Sequence, residues 1–497
     1  MGKRSLTDET FDGMAWQSLS IGANIILRAA ILIMLARTLH AVEFGVIAAA
    51  MLVTNIGERV SQIGVSRVLV QRLTLEQDVI RSAFAIALWT GVLATAAVFL
   101  AAPLFSLLFR IDNLDPYIEF LALTLLLNNL AAIPAALLQR DRRFRALGLI
   151  GLASYVLGFG LVALPMAMMG FGAWSLAAAE MVQVASRALA LFVTRRPAMR
   201  LWPDWPVARA LLNVGSGFSA GQVGNFVATQ VDYLVVGRWL GAEALGFYNR
   251  AYQFLMLPTQ LLGAAISVVL FPSLAAIQDQ PERVARAYLR ALGTIAMFAF
   301  PASGVLIIIA PEFVRFVLGS EWSAMTLPFQ ILISTLLFRT SYKISDSATL
   351  AMGSMYQRAW RQWIYAAAVA AGAYVGTRWG ISGVAVGVGA AVMLNFTLML
   401  MLARRVTSLA LGPIVRVHLR HLAIGALISM PVWFATQASR NGQLPDVAVL
   451  AIGLLAAALT AGLLWFRFRG LFGEDGAWLH RIVSARLSSV FNRQPAS

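Results

Sequence analysis

The sequence predicts an all-α polytopic membrane protein with about 14 transmembrane helices. Two parallel six-helix repeats are expected around a central cavity, followed by a C-terminal helix pair. Three observations lead there. Of 497 residues, 59% are apolar and 12% charged, with a mean hydropathy of +0.75, whereas a soluble chain carries about a quarter charged residues. The basic residues gather between alternate apolar segments. One half of the chain also echoes the other without a gap.

Apolar segments long enough to cross a hydrocarbon core of about 30 Å recur from end to end. They lie near 14–36, 45–66, 83–103, 117–138, 147–168, 172–193, 211–236, 247–271, 290–310, 325–350, 362–378, 380–402, 421–437 and 447–466. The segments starting at 211 and 325 are the most polar. Loops alternate sides, and the 39 Lys and Arg residues follow that alternation. Only Arg37, Arg110, Arg238, Arg315, Arg378 and Arg440 fall on one side. Arg28, Arg59, Arg187, Arg250, Arg339 and Lys343 lie within spans, and the other 27 occupy the opposite loops and the tails. Such a bias marks the basic side as cytoplasmic. Both termini are expected there. The net charge of +16 thus reads as inner-face arginines meeting anionic membrane lipids, not as nucleic-acid binding. The first thirteen residues include Asp8, Glu9 and Asp12, and the first apolar run is span-length, which does not fit a cleavable signal peptide.

The echo is clearest between AILIMLARTLHAVEFGVIAAAM, 30–51, and VDYLVVGRWLGAEALGFYNRAY, 231–252, offset by 201 residues. Arg37 meets Arg238, Leu39 meets Leu240, Ala41 meets Ala242, Gly45 meets Gly246 and Ala50 meets Ala251. The register continues outward, with Ser18 and Asn24 on Ser219 and Asn225, and Ser66, Val68 and Leu69 on Ser267, Val269 and Leu270. An even number of helices per unit makes the repeat parallel, a transporter arrangement. The expected organisation is a cytoplasmic tail at 1–13, a first lobe at 14–194, a linker at 195–210, a second lobe at 211–403, an appended helix pair at 404–466, and an amphipathic cytoplasmic tail at 467–497. The linker RRPAMRLWPDWPVAR suits a loop. In the tail, Trp478, Ile482, Leu487 and Phe491 oppose Arg481 and Arg486, an interfacial-helix pattern. Pro134, Pro165, Pro258, Pro301 and Pro431 sit deep in spans, where a proline removes a backbone hydrogen bond.

Charges at membrane depth are costly and mark cavities or mutual pairs. Here they are Arg28, Glu58, Arg59, Glu180, Arg187, Asp232, Arg250, Arg339, Lys343 and Asp346, six cations against four anions. In the repeat register Arg28 projects onto Thr229, one turn before Asp232, and Arg59 onto Gln260. Arg339, Lys343 and Asp346 form one stripe of a helix. Arg250, Glu180 and Arg187 lie near span ends, where snorkelling to the interface competes with a buried role. Arginine's planar fork suits a phosphate, so the surplus of cations favours an anionic cargo. Other chemistry has no foothold. There are no cysteines, His40, His418, His421 and His480 have no metal-ligand spacing, and no Gly-rich phosphate loop with its lysine occurs. No cofactor and no enzymatic activity are expected. The small-residue run GISGVAVGVGAAV, 380–392, reads as close helix packing.

Four stretches carry a resemblance: LARTLHAVEFGVIAAA, QIGVSRVLVQR at 62–72, VDYLVVGRWLGAEALGFYNRAYQFLMLP, and VLFPSLAAIQDQPERVARAYLRAL at 269–292. They resemble the polysaccharide-transporter branch of the multidrug/oligosaccharidyl-lipid/polysaccharide exporter superfamily, over most of residues 10–405. One departure is visible: His40-Ala41-Val42-Glu43 stands where the family usually has Thr-Pro or Ser-Pro before an acid. The resemblance implies two six-helix lobes around a cavity that opens to each side in turn. It implies an undecaprenyl-diphosphate-linked oligosaccharide as cargo, moved from the inner to the outer leaflet for O-antigen, capsule or exopolysaccharide synthesis. The polymerase and export machinery of that synthesis would be its partners. Arg28, Arg59, Arg250, Arg339 and Lys343 would hold the diphosphate. Asp232, Glu58 or Asp346 would carry a proton or sodium ion. The competing expectation is an ion-coupled small-molecule or drug antiporter on the same fold, which calls for an acidic cavity instead.

Overall fold

The computed structural model describes residues 27–473 and Gly476, apart from 63–64, 72–74, 276, 278, 353 and 408. The two expected tails, the start of the first span and its matches at Ser18 and Asn24 lie outside the described residues. Among those described there is no strand. The helices are α1 (Leu27–Ala36), α2 (Ala41–Ser61), α3 (Val65–Gln71), α4 (Gln77–Phe109), α5 (Asp115–Arg140), α6 (Phe144–Met168), α7 (Ala173–Thr194) and α8 (Trp205–Ala275). They continue with α9 (Pro281–Val317), α10 (Thr326–Ser334), α11 (Leu336–Ala351), α12 (Met355–Gly376), α13 (Gly380–Thr407), α14 (Leu411–Asn441) and α15 (Asp446–Arg467). Where the expected spans are described, they fall mostly on helix. By length and apolarity, nine stretches of the described residues can cross a membrane, and one of them, Tyr356–Thr407, covers both α12 and α13.

The chain forms two compact units, Met1–Asn249 and Arg250–Ser497. This division falls inside α8, downstream of the 195–210 linker, because the first half of α8 packs into the first unit. Ala208 and Leu211 share a core with Leu69, Ile80, Ile133 and Leu137. The linker itself lies along α4: Trp202 stacks on Trp89 at 5.1 Å, the Trp89 indole donates to the Leu201 carbonyl, and the Asp204 amide donates to Ser82.

Although α8 is continuous in its hydrogen bonding, it breaks at Gly241, whose φ of 89° suits a residue without Cβ. The Tyr248 hydroxyl donates to Asp232 Oδ2 at 2.8 Å. Sixteen residues of straight helix would span about 24 Å, so the chain folds back there and supplies two of the expected spans. At this turn Gly45 of α2 lies so close that a Cβ would overlap the Ala242 carbonyl, and a Cβ on Gly246 would overlap the Ala41 carbonyl. The contact is reciprocal between residues that match in the repeat. Just before it, the Glu43 carboxylate accepts the His40 N–H at 2.7 Å and so caps α2. The acid therefore keeps its work where the Thr-Pro or Ser-Pro of the family is missing.

In α6 the segment Val156–Ala163 is π-helical. Pro165 cannot donate to the carbonyl four residues back, which favours a slipped hydrogen-bond register just before it. Gly158 meets the Ala179 carbonyl of α7 in the same stretch.

In the second unit, α12 and α13 form a hairpin with mutual glycine contacts. Gly372 faces Gly387 and Gly376 faces Gly383, each pair near enough that a Cβ on either would strike the other's backbone. The small-residue run is structural, as expected. The pair α14–α15 is not peripheral to this unit. Ile424, Ile428 and Val432 of α14 and Leu450 of α15 share a core with Val305 and Ile309 of α9. At one end, buried Glu312 accepts from Arg440 at 2.8 and 2.9 Å and from Arg315 at 3.4 Å, while Arg315 also holds both oxygens of Asp446. Lipid offers helices no hydrophobic reason to associate, so close backbones and such polar ties carry the packing.

Gly387→Val is expected to lower the thermal midpoint of the purified protein in detergent, since overpacking costs about 1–3 kcal/mol; an unchanged midpoint would show the α12–α13 approach to be slack. Glu312→Gln should cost about 2 kcal/mol, the scale of hydrogen bonds to a charged group, in the same measurement, and Gly462→Ala, where a Cβ would meet open space, should leave it near the wild-type value.

Candidate functional site

The ten membrane-depth charges fall into groups within each unit. In the first unit, the Arg28 guanidinium lies 4.6 Å from the ring centre of Tyr155, the residue directly before the π-helical segment. Arg59 lies 5.6 Å from the ring centre of Phe226. Such placement stabilises a cation while leaving N–H groups available. Arg28, Arg59 and Arg187 are exposed in the structure. Glu58 is half-buried and accepts from Gln62 at 2.7 Å. Glu180 of α7 is within electrostatic reach of Glu58, Arg28 and Arg187. The sequence had set Glu180 and Arg187 near a span end; Glu180 instead belongs with Glu58. A glutamate 122 residues further along the chain gave no local signal of that proximity.

Asp232 is 1% exposed and accepts both from Tyr248 and from the Tyr233 N–H. Its carboxylate is built into the fold of the α8 turn. Tyr233 and Tyr248 meet edge to face at 5.7 Å beside it.

In the second unit, Arg250 is 4% exposed and donates to Gln253 at 2.5 Å. It is buried and does not snorkel. Arg339 is also buried. Its Nη1 donates to the Tyr252 hydroxyl at 2.7 Å and its Nε to Thr335 at 3.2 Å, while its guanidinium lies over the Tyr252 ring. Lys343 stands one turn along the same face of α11, half-buried. Asp346 completes the stripe, but both of its oxygens are taken by Arg358 of α12. Buried Thr340, Ser341, Ser345 and Thr349 make α11 polar on several sides, and Ser345 meets the Tyr288 hydroxyl of α9 at 2.9 Å. The stripe was legible in the sequence at its spacings of four and three. Its partners Tyr252 and Arg358 were not, because they lie on other helices.

No group of three or more His, Cys, Asp or Glu residues suited to a metal is present among the described residues. The chemistry available is recognition: cations set on aromatic faces in an apolar body, and carboxylates held by arginine or tyrosine.

The profile of the family described as "Polysaccharide biosynthesis protein" matches residues 34–327. The chain belongs to that family. Among curated relatives, this polysaccharide biosynthesis protein is 25% identical to the lipopolysaccharide biosynthesis protein WzxC of Escherichia coli (strain K12) over 342 residues, 68% of each chain. It is 23% identical to the teichuronic acid biosynthesis protein TuaB of Bacillus subtilis (strain 168), over 70% of this chain and 72% of that one. Among solved structures, the lipid II flippase MurJ in an inward closed conformation superposes with a TM-score of 0.72 at 14% identity, covering 90% of this chain and 98% of that one. An inward-facing multidrug resistance MATE family transporter of the MOP superfamily gives 0.58 at 16% identity, over 78% and 94%. The fold is that of these membrane transporters, and the chain is a multi-pass membrane member of the polysaccharide biosynthesis family.

Tyr248→Phe removes the hydroxyl that serves Asp232 Oδ2. It is expected to lower the thermal midpoint in detergent by the equivalent of about 1–3 kcal/mol, the cost of leaving a buried acceptor short of a donor. No change in midpoint would mean that Asp232 does not depend on Tyr248.

Proposed function

We propose that the protein flips undecaprenyl-diphosphate-linked oligosaccharide repeat units from the inner to the outer leaflet of a bacterial cytoplasmic membrane by alternating access. The observation that carries this reading is the family match together with the excess of cations over carboxylates at membrane depth. In the second unit Asp346 is committed to Arg358, and Glu312 to Arg440 and Arg315. Arg250, Arg339 and Lys343 lie at membrane depth in the same unit, the two arginines buried and the lysine half-buried. A buried cationic surplus favours a diphosphate over a cationic drug, which weakens the antiporter alternative. Arg28 and Arg59, on their aromatic faces, extend the same chemistry into the first unit. The names of relatives in lipopolysaccharide and teichuronic acid synthesis, and the lipid II flippase fold, support a lipid-linked cargo.

Ion coupling has two kinds of candidate. Asp232 and Asp346 have strong partners, so each would have to release a tyrosine or an arginine first. Glu58, with Glu180 close by, can instead exchange a proton or sodium ion by changing the balance of two carboxylates that share a site. We favour Glu58, aided by Glu180.

The reciprocal Gly45–Gly246 crossing would close the outer side, where the loop-charge pattern leads us to expect both turns. It must part for release.

The test replaces Arg339 and Lys343 together by Gln in a strain whose only copy of the gene is the variant. Export of the glycan should fall at least about tenfold, the scale of one lost charged hydrogen bond, with the protein still in the membrane and lipid-linked sugar accumulating inside. Normal export would sink the diphosphate reading. Because the chain has no cysteine, an Ala41→Cys/Ala242→Cys pair gives a clean second test. Oxidation should cross-link the turns and stop export until a reductant is added; export that continues through a complete cross-link would mean that the crossing does not open.

A further inference from the structure

We propose that one end of the α12–α13 hairpin is a binding site for the phosphate of an anionic lipid headgroup. The two helices are antiparallel and in backbone contact, so the first turns of α12 and the last turn of α13 share one end. The charge distribution puts that end at the cytoplasmic face. It carries Arg358, Arg361, Arg404 and Arg405. Arg358 is spent on Asp346. Arg404 is half-buried and donates to the Leu409 carbonyl. Arg361 is the unusual member. It is 5% exposed, its Nη1 donates to the Gln357 carbonyl one turn back toward the helix start, and its guanidinium lies 4.4 Å from the ring centre of Trp360. Its Nε is buried with no acceptor.

Among the ion pairs of the described residues none includes Arg361, Arg404 or Arg405. The charge within reach of Arg361 is instead a like one, Arg405, which is exposed at the end of α13. A buried guanidinium N–H without an acceptor, next to a second cation, is unfavourable unless an anion completes it. The surroundings say which kind of anion. Tyr356, Trp360 and Trp363 are 92%, 49% and 52% exposed on the same first turns, and amphipathic rings of this sort settle at headgroup depth. The positive end of the α12 dipole adds to the field. A phosphate that arrives attached to acyl or prenyl chains would meet the arginines and the aromatic rings together, which a free phosphate in solution would not.

Two lipids bring that chemistry, a bulk anionic phospholipid and a prenyl diphosphate. Native mass spectrometry of the delipidated full-length protein, titrated separately with phosphatidylglycerol, undecaprenyl diphosphate and phosphatidylcholine, separates them. Either anionic lipid should bind at least about tenfold more tightly than phosphatidylcholine, and the tighter of the two identifies the source. Arg361→Gln and Arg405→Gln should each remove about tenfold of that preference, the scale of one charged hydrogen bond. Arg361→Lys should recover part of it, and Arg81→Gln, at an exposed arginine of α4, should not change it. Arg405 is on the surface, so its variant remains informative if loss of Arg361 disturbs folding. The proposal is overturned if Arg405→Gln binds as the wild type does, or if Arg81→Gln loses as much. The readout is lipid affinity and not export, so it stands or falls apart from the transport reading.

Discussion

Two glycines that match in the internal repeat each rest on the backbone of the other copy's turn. Gly45 lies against Ala242 and Gly246 against Ala41, a self-complementary contact of the kind twofold-related surfaces make. In lipid, apolar side chains gain nothing by turning from hydrocarbon to protein, so helices join where backbones can approach and polar groups can be satisfied. The position therefore tolerates no Cβ, and the helices entering the turn are set by it. Asp232 and Tyr248 lock the second copy, and Glu43 caps the first. The same physics recurs in the second unit, where Gly372 and Gly376 face Gly387 and Gly383. A stretch that drew notice as an echo is thus the place where that echo becomes a packing constraint.

Charge is distributed differently in the two units. In the first, Glu180 is within electrostatic reach of Glu58, Arg28 and Arg187, the group proposed above for ion coupling. In the second, Asp346 is held by Arg358 and Glu312 by Arg440 and Arg315, while Arg339 donates to Tyr252 and Arg250 to Gln253. A count of charges along the sequence finds a surplus of two cations. It does not find where the surplus sits, because pairing is decided by helices far apart in the chain.

The helices themselves were legible. Apolar length foretold helix along the described parts of the expected spans, the Gly-rich run at 380–392 foretold close helix packing, and the stripe at 339, 343 and 346 gave one polar face of α11. What stayed hidden required a second helix. Arg250 read as a residue able to snorkel because it lies near a span end, yet it is 4% exposed. The pair α14–α15 read as appended because it lies outside the repeat, yet its Ile428 and Val432 pack on α9 and Arg440 binds Glu312. Arg315 and Arg440 counted only as sparse charges on one side, and the carboxylates that hold them are 3 and 128 residues away. The π-helical segment had a local cause in Pro165, but its seat against Ala179 needed α7.

By itself the sequence determined that this chain crosses a membrane as helices, that its basic residues gather between alternate apolar segments, that one stretch echoes another in register, and that its apolar segments carry more positive than negative charge. Those properties are sums over short windows: apolar length, loop charge, periodicity and register. Only the tertiary structure decided which carboxylates are already neutralised, which arginines lie on aromatic rings, and where two turns meet backbone to backbone. These depend on directions and separations of a few ångströms between residues tens to hundreds of positions apart, and in a medium of low dielectric such separations decide whether a charge is a structural tie or is left available to a ligand.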